Sequence, residues 1–167
     1  MLEVQEDKML ILSENIIDMK PYVGLWAESS LRNDLNAGFL ATFSPEDRER
    51  IVETKVITGG IETTDKVFFL SLEEVIQYFC DSENLENRLN DMNMHGRDIQ
   101  DKYNYTRAAA NNWWLRSHNF PFRLPYIVDL GGSISGVYNT APGVHLGVRP
   151  ALWLNLTQPA AQVTNDR

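Results

Sequence analysis

Residues 111–120 read NNWWLRSHNF: two tryptophans side by side, a leucine, then an arginine. Aromatic residues flanked by asparagines mark a strand. Successive side chains of a strand point to opposite faces. Trp113 and Trp114 are therefore expected to bury in different places, one in the main core and the other in a satellite core beneath long irregular loops. Downstream, LPYIVDL, SISGVY and LGVRPALWLNL carry the same β-branched and aromatic character and read as further strands. Gly131-Gly132 between two of them is a hairpin turn signal. The last third of the chain is thus an antiparallel set of strands.

Working back from there, the character changes. Residues 81–107 are polar and read as an irregular excursion with some helix. Before them, TTDKVFFLSLEEVIQYF predicts a buried strand over Lys66–Leu70 and a helix through Phe79. Ser71 and Glu74 have the S-x-x-E spacing of a capping box, in which each side chain meets the other residue's backbone N–H. Leu31, Leu35 and Phe39 recur at helical spacing, with Ser29 or Ser30 as the cap. Ser44, Pro45, Glu46 and Asp47 open a second short helix, and IVETKVIT leads into a strand. LEV and MLILSE, joined by QEDK, form an N-terminal hairpin. Strands, helices, then strands again give an α+β fold of antiparallel sheets with two to three helices. One domain over 1–156 and a C-terminal tail, 157–167, follow.

Composition narrows the function. The chain has 167 residues and a net charge of −8. Phosphate backbones and anionic membranes are bound through Lys and Arg excess, so neither nucleic acid nor membrane is an expected partner. One cysteine, Cys80, allows no intrachain disulfide and no cysteine cluster for zinc. The opening MLEVQEDKML is unlike a secretory signal. The expected location is the cytoplasm, or a phage or surface protein of which this is a part.

Three stretches, TTDKVFFLS (63–71), WWLRS (113–117) and GVRPALWLNL (147–156), together resemble a bacterial and phage domain family of unknown function. LILSENIIDMKPY and SSLRNDLNAGFL fit the same order. The resemblance implies a C-type-lectin-like fold, akin to formylglycine-generating-enzyme relatives and to the variable proteins of diversity-generating retroelements. In those proteins C-terminal strands and loops can carry a variable ligand-binding face, rewritten at adenines. It implies a candidate window from about Asn111 to His145.

Within and around that window the residues divide. Trp113, Trp114 and Arg116 read as scaffold, with Arg116 making a buried ion pair or capping a carbonyl. Arg149, Pro150 and Trp153 read the same way. Pro150 suits an edge or a bulge, and Arg149 can fix loops through paired hydrogen bonds. His118, Asn119, Phe120, Phe122, Arg123 and Tyr126 lie in a proline-braced stretch. Aromatic groups there offer large contact area at low entropy cost, while inward-tucked rings are the other reading. Ser133, Ser135, Tyr138, Asn139, Thr140 and His145 form a second cluster, either adaptable polar contacts or a plain solvated loop.

Enzyme signatures are sparse. His95, His118 and His145 are widely spaced, with no HExxH, GxSxG or Walker A motif. Formylglycine-generating relatives use a pair of cysteines, and this chain has one. DSENLENRLND lacks the EF-hand spacing. The expectation is a non-enzymatic module, without cofactor or metal, that displays loops between Ser117 and His145 to a protein or carbohydrate ligand. The alternatives are an enzyme of the sulfatase-modifying-factor type with a changed site, and a structural domain of a phage or surface assembly.

Overall fold

The structure, a computed structural model, describes residues 1–79, 104–119, 123–136 and 143–157. Strand β1 (Glu3–Gln5) turns through Glu6-Asp7 into β2 (Lys8–Leu12), the expected N-terminal hairpin. β2 then pairs with the last strand, β10 (Ala151–Asn155), in a three-stranded sheet ordered β1-β2-β10. A second sheet has the order β3-β9-β6-β7-β8. Its strands are β3 (Asp18–Pro21), β6 (Trp113–His118), β7 (Pro125–Val128), β8 (Ile134–Ser135) and β9 (His145–Val148). β4 (Thr54–Thr58) and β5 (Ile61–Asp65) form a separate hairpin. Pairing is antiparallel except between β6 and β9, which meet in parallel at Trp113 and Gly147. Helices α1 (Ser30–Asp34), α2 (Pro45–Arg50), α3 (Leu72–Phe79) and α4 (Asn104–Arg107) are short. The fold is mixed α+β, with few helices and antiparallel sheets. No helix among the described residues is long and apolar enough to cross a membrane.

The caps form where the sequence places them. Ser29 Oγ accepts from Arg32 N–H at 3.1 Å, and Ser44 Oγ from Asp47 N–H at 3.0 Å. The capping box of α3 closes both ways: Ser71 N–H donates to Glu74 Oε2 at 2.8 Å, and Glu74 N–H to Ser71 Oγ at 3.1 Å. The helix expected over Leu31–Phe39 is α through Asp34 and then a π-helical segment, Leu35–Phe39.

Three expectations are corrected. Lys66–Leu70 is not a strand: Val67 to Leu70 are buried, Lys66 is half-buried, and the stretch makes one isolated bridge, Phe68 with Ala151. Its hydrogen bonds go elsewhere: Lys66 and Val67 N–H donate to Asn36 Oδ1, Phe68 exchanges bonds with Ala151, and Leu70 O accepts from Arg116 N–H. Asn36 thus takes the place of a neighbouring strand. LGVRPALWLNL is two strands rather than one. It breaks at Arg149-Pro150 and passes from the five-stranded to the three-stranded sheet, because Pro150 has no N–H for a ladder.

The third correction concerns the tryptophans. Both have 0% exposure and belong to one continuous core, without a satellite. β6 has a neighbour on each edge in the larger sheet, and its residues Trp113 to Ser117 are buried on both faces. Trp114 meets Tyr22 edge-on at 5.8 Å and donates Nε1–H to Lys20 O at 2.8 Å. Trp113 lies beneath the Arg149 guanidinium, 4.9 Å from ring centroid to Cζ, and donates Nε1–H to Arg107 O of α4 at 3.1 Å. A second anchor is the buried carboxylate of Asp65. It accepts from Trp26 Nε1 at 3.0 Å, Arg32 Nε at 2.6 Å and Thr63 Oγ1 at 2.7 Å, and so ties the hairpin to α1. Every donor there faces a formal charge, which is what keeps a buried carboxylate tolerable.

Candidate functional site

The β4–β5 hairpin is a separate two-stranded sheet anchored by buried Val56 and Asp65. Gly59 and Gly60 both have positive φ, 57° and 80°, the two-residue turn whose twist matches its strands. Between this hairpin and the start of α3 opens a cleft of about 760 Å³. Small-molecule and peptide sites of roughly 300–1,000 Å³ combine an apolar lining with a few placed polar groups. Here Val56, Phe68, Leu72 and Trp153 supply apolar surface, and Glu73, Glu74, Arg116, Ser117 and Tyr126 supply polar groups.

The polar groups are fixed from behind. Arg116, 3% exposed, holds Glu74 with two bonds, Nη1 to Oε2 at 2.5 Å and Nη2 to Oε1 at 2.8 Å. Its Nη1 also donates to Phe69 O at 2.6 Å. Both roles expected for Arg116, buried ion pair and carbonyl cap, are present. Ser117 Oγ accepts from Leu72 N–H at 3.0 Å and lies 3.4 Å from Glu73 Oε2. Glu73 is exposed, while Glu74 is half-buried and spent on its partners. Tyr126, 6% exposed, has its hydroxyl pKa raised by burial and then by the charge of Glu73. Its ring packs on Gly136, where an added Cβ would come within 2.3 Å of the ring.

His118 borders the cleft but turns its ring to Tyr22, centroids 5.3 Å apart. Its Nε2 meets Gly24 O at 2.8 Å, so the neutral ring carries its proton there, and Nδ1 is buried with no hydrogen-bond partner among the described residues. Burial lowers the imidazole pKa, against the opposing pull of the Gly24 and Arg116 carbonyls.

The structure sorts the sequence-derived residues. Of these, His118 and Tyr126 come together at the cleft, beside Ser117 of the WWLRS stretch. Asn119 is a staple of its own loop: its backbone exchanges bonds with Leu124 and Arg123, its Oδ1 accepts from Leu124 N–H at 3.0 Å, and its Nδ2 donates to Gly136 O. Arg123 is exposed, with φ of 54°. Tyr126, Ser133 and Ser135 are buried, at 6%, 5% and 8% exposure, so the plain solvated-loop reading of the two serines does not hold. His145 is exposed at the start of β9, hydrogen-bonds through Nδ1 to Gly143 O at 2.8 Å, and does not border the cleft. Cys80, His95, Phe120, Phe122, Tyr138, Asn139 and Thr140 lie outside the described residues, as do most of the 81–107 excursion and nearly all of the tail.

The whole β4 wall and Glu73 are absent from the sequence-derived set. A signal for the wall was present: Gly59-Gly60 stands between KVIT and IETT, the same dipeptide that marks the turn at 131–132. Comparison with curated proteins and with solved structures gives no significant match. A family model does match, over residues 6–156, and the chain belongs to that family, the domain of unknown function DUF6273.

Proposed function

We propose that this domain is a non-enzymatic ligand-binding module and that its ligand, a protein segment or a carbohydrate, sits in the cleft between β4 and α3. The observation that carries this is the combination of an apolar floor with polar groups already locked in place by Arg116 and the α3 cap. Locked groups lose little freedom on binding. The environment of Ser117 supports binding over nucleophilic catalysis: its hydroxyl is occupied by Leu72 N–H and Glu73, and the adjacent His118 faces Tyr22. Antiparallel sheets with few helices support a C-type-lectin-like scaffold.

The segments joining β6 to β7 and β8 to β9 complete the proposal as a rim that can vary, in the manner of retroelement variable proteins. Its support is the full burial of Trp113, Trp114 and Leu115, a scaffold that survives changes in loops. Sequencing codons 111–146 across a source population tests this part. Variation restricted to loop positions, with Trp113, Trp114, Arg149 and Trp153 constant, is expected, and a uniform sequence removes active diversification. The cleft itself is tested by titrating the isotopically labelled domain with panels of peptides and soluble glycans. Amide shifts at Glu73, Ser117 and Tyr126 are expected. Shifts confined to Arg123 and His145 would move the site to the loops.

A further inference from the structure

The lining of the cleft has a feature that a small-molecule pocket does not need. Every residue from Thr54 to Gly60 borders it, whereas no residue of β5 does. A pocket over one face of a strand touches alternate residues. A pocket touching consecutive residues lies along the strand's edge. β4 has one partner, β5, in a two-stranded sheet. The edge facing the cleft is therefore the one without a neighbour.

The register says which backbone groups point there. The Gly59-Gly60 turn makes Thr58 and Ile61 the closing hydrogen-bonded pair, so Val56–Thr63 and Thr54–Asp65 are the next ones. Lys55 and Ile57 lie between them, and their N–H and C=O groups face outward. Among the described residues none of these groups has a hydrogen-bond partner. Strand edges of this kind bind extended peptides by adding a strand.

Charge selects the peptide. Lys55 is paired with Glu62 at 2.9 Å, and Arg116 is paired with Glu74 at 2.5 Å. Glu73 faces the same cleft with only a long contact to Ser117, on a chain of net charge −8. The cleft thus presents one uncompensated carboxylate opposite an open strand edge, with Ile57, 61% exposed, beside it. The geometry points to an extended peptide as the ligand: it adds as a strand on the outer edge of β4, and its Lys or Arg side chain reaches Glu73. This rests on the cleft being the binding site.

The probe is a phage-displayed library of random heptapeptides selected on the full chain. The selected peptides are then measured by fluorescence anisotropy. Ile57→Pro removes one outward N–H and no β4–β5 hydrogen bond, and proline is tolerated on edge strands. It is expected to weaken binding about tenfold, and Glu73→Gln to weaken basic peptides about fivefold and flatten their salt dependence. Glu73→Arg, at an exposed position, is expected to shift selection from basic to acidic sequences. In the wild-type domain, peptide is expected to slow amide exchange at Lys55 and Ile57, a readout that stands even where Ile57→Pro fails to fold. Peptides that shift cleft amides yet bind Ile57→Pro equally and leave those two amides unprotected would overturn strand addition while leaving the cleft in place. Peptides mapping elsewhere would overturn both. A library yielding no binder would overturn the peptide, with the glycan panel then deciding the cleft.

Discussion

Arg116 and Arg149 are both buried, and both lie over an aromatic ring, Phe68 at 5.6 Å and Trp113 at 4.9 Å. They are spent differently. Arg149 gives Nε–H to Ser13 O at 2.9 Å and Nη1–H to Arg107 O at 3.3 Å. Its bonds end on backbone, and they join the end of β2, α4 and the β9–β10 break. Arg116 gives two bonds to a carboxylate that also caps a helix at the cleft. One arginine is a rivet between sheets, and the other is the back wall of the cleft. A guanidinium serves both because it offers five donors in a rigid plane.

The difference can be broken by substitution. Arg149→Ala takes the donor from Ser13 O, leaves Arg107 O with Trp113 Nε1–H alone, and uncovers the Trp113 ring, so the loss is expected to be about 4 kcal/mol, read by denaturant unfolding. At ~2–4 °C per kcal/mol, the melting temperature should fall by roughly 8–16 °C. A loss below about 1 kcal/mol would mean that the sheets are joined by apolar packing alone. Arg116→Ala is expected to cost somewhat less, about 3 kcal/mol, because Glu74 is a quarter exposed and water can replace part of what it loses. A double-mutant cycle with Glu74→Ala should return a coupling of about 1–2 kcal/mol.

Ser71→Ala acts on the Arg116 network alone. It removes one arm of the capping box and is expected to cost about 1 kcal/mol, with loss of α3 helicity visible in amide exchange. The smallest effect is a pH dependence. His118 has a folded pKa below the ordinary 6.5, chiefly through burial. As pH falls, the unfolded chain takes up its proton first. The His118 contribution is therefore complete above 6.5 and is lost as pH drops from 6.5 through the lowered folded value. His118→Gln should flatten the denaturation midpoint across that interval, and an unchanged slope would assign the titration to another group.

What could be read in advance follows the range of the interaction. The caps at Ser29, Ser44 and Ser71 are set within four residues and were legible, as was the turn at Gly131-Gly132. That turn spans Asp129 to Ser133, with Gly132 at φ of 82°. The equivalent dipeptide Gly59-Gly60, which frames the cleft, carries the same signal beside the more apolar VFFL. Lys66–Leu70 is ambiguous in sequence because a short apolar stretch has the same pattern whether its backbone bonds go to a strand or to Asn36. The split of LGVRPALWLNL was signalled by Pro150, yet which sheet each half joins is decided by Ser13 and Gly147, far apart in the chain. The polar half of the cleft is only partly legible: His118 and Tyr126 stand out in the sequence as candidate binding residues, whereas Ser117 reads as part of the WWLRS stretch and Glu73 looks like any helix-opening acid.

The β2–β10 ladder pairs Lys8 with Asn155 and Leu12 with Ala151. Contacts so distant along the chain make folding slow, because the loop must close before the contact rewards it. On a ribosome, β2 emerges long before its partner exists. Until Trp153 arrives opposite Leu10, the hairpin β1–β2 has an open edge and an uncovered apolar side. The interval of greatest aggregation risk for this domain is therefore set by translation time, and a chaperone that shields Lys8–Leu12 would act on the nascent chain and not on the finished fold.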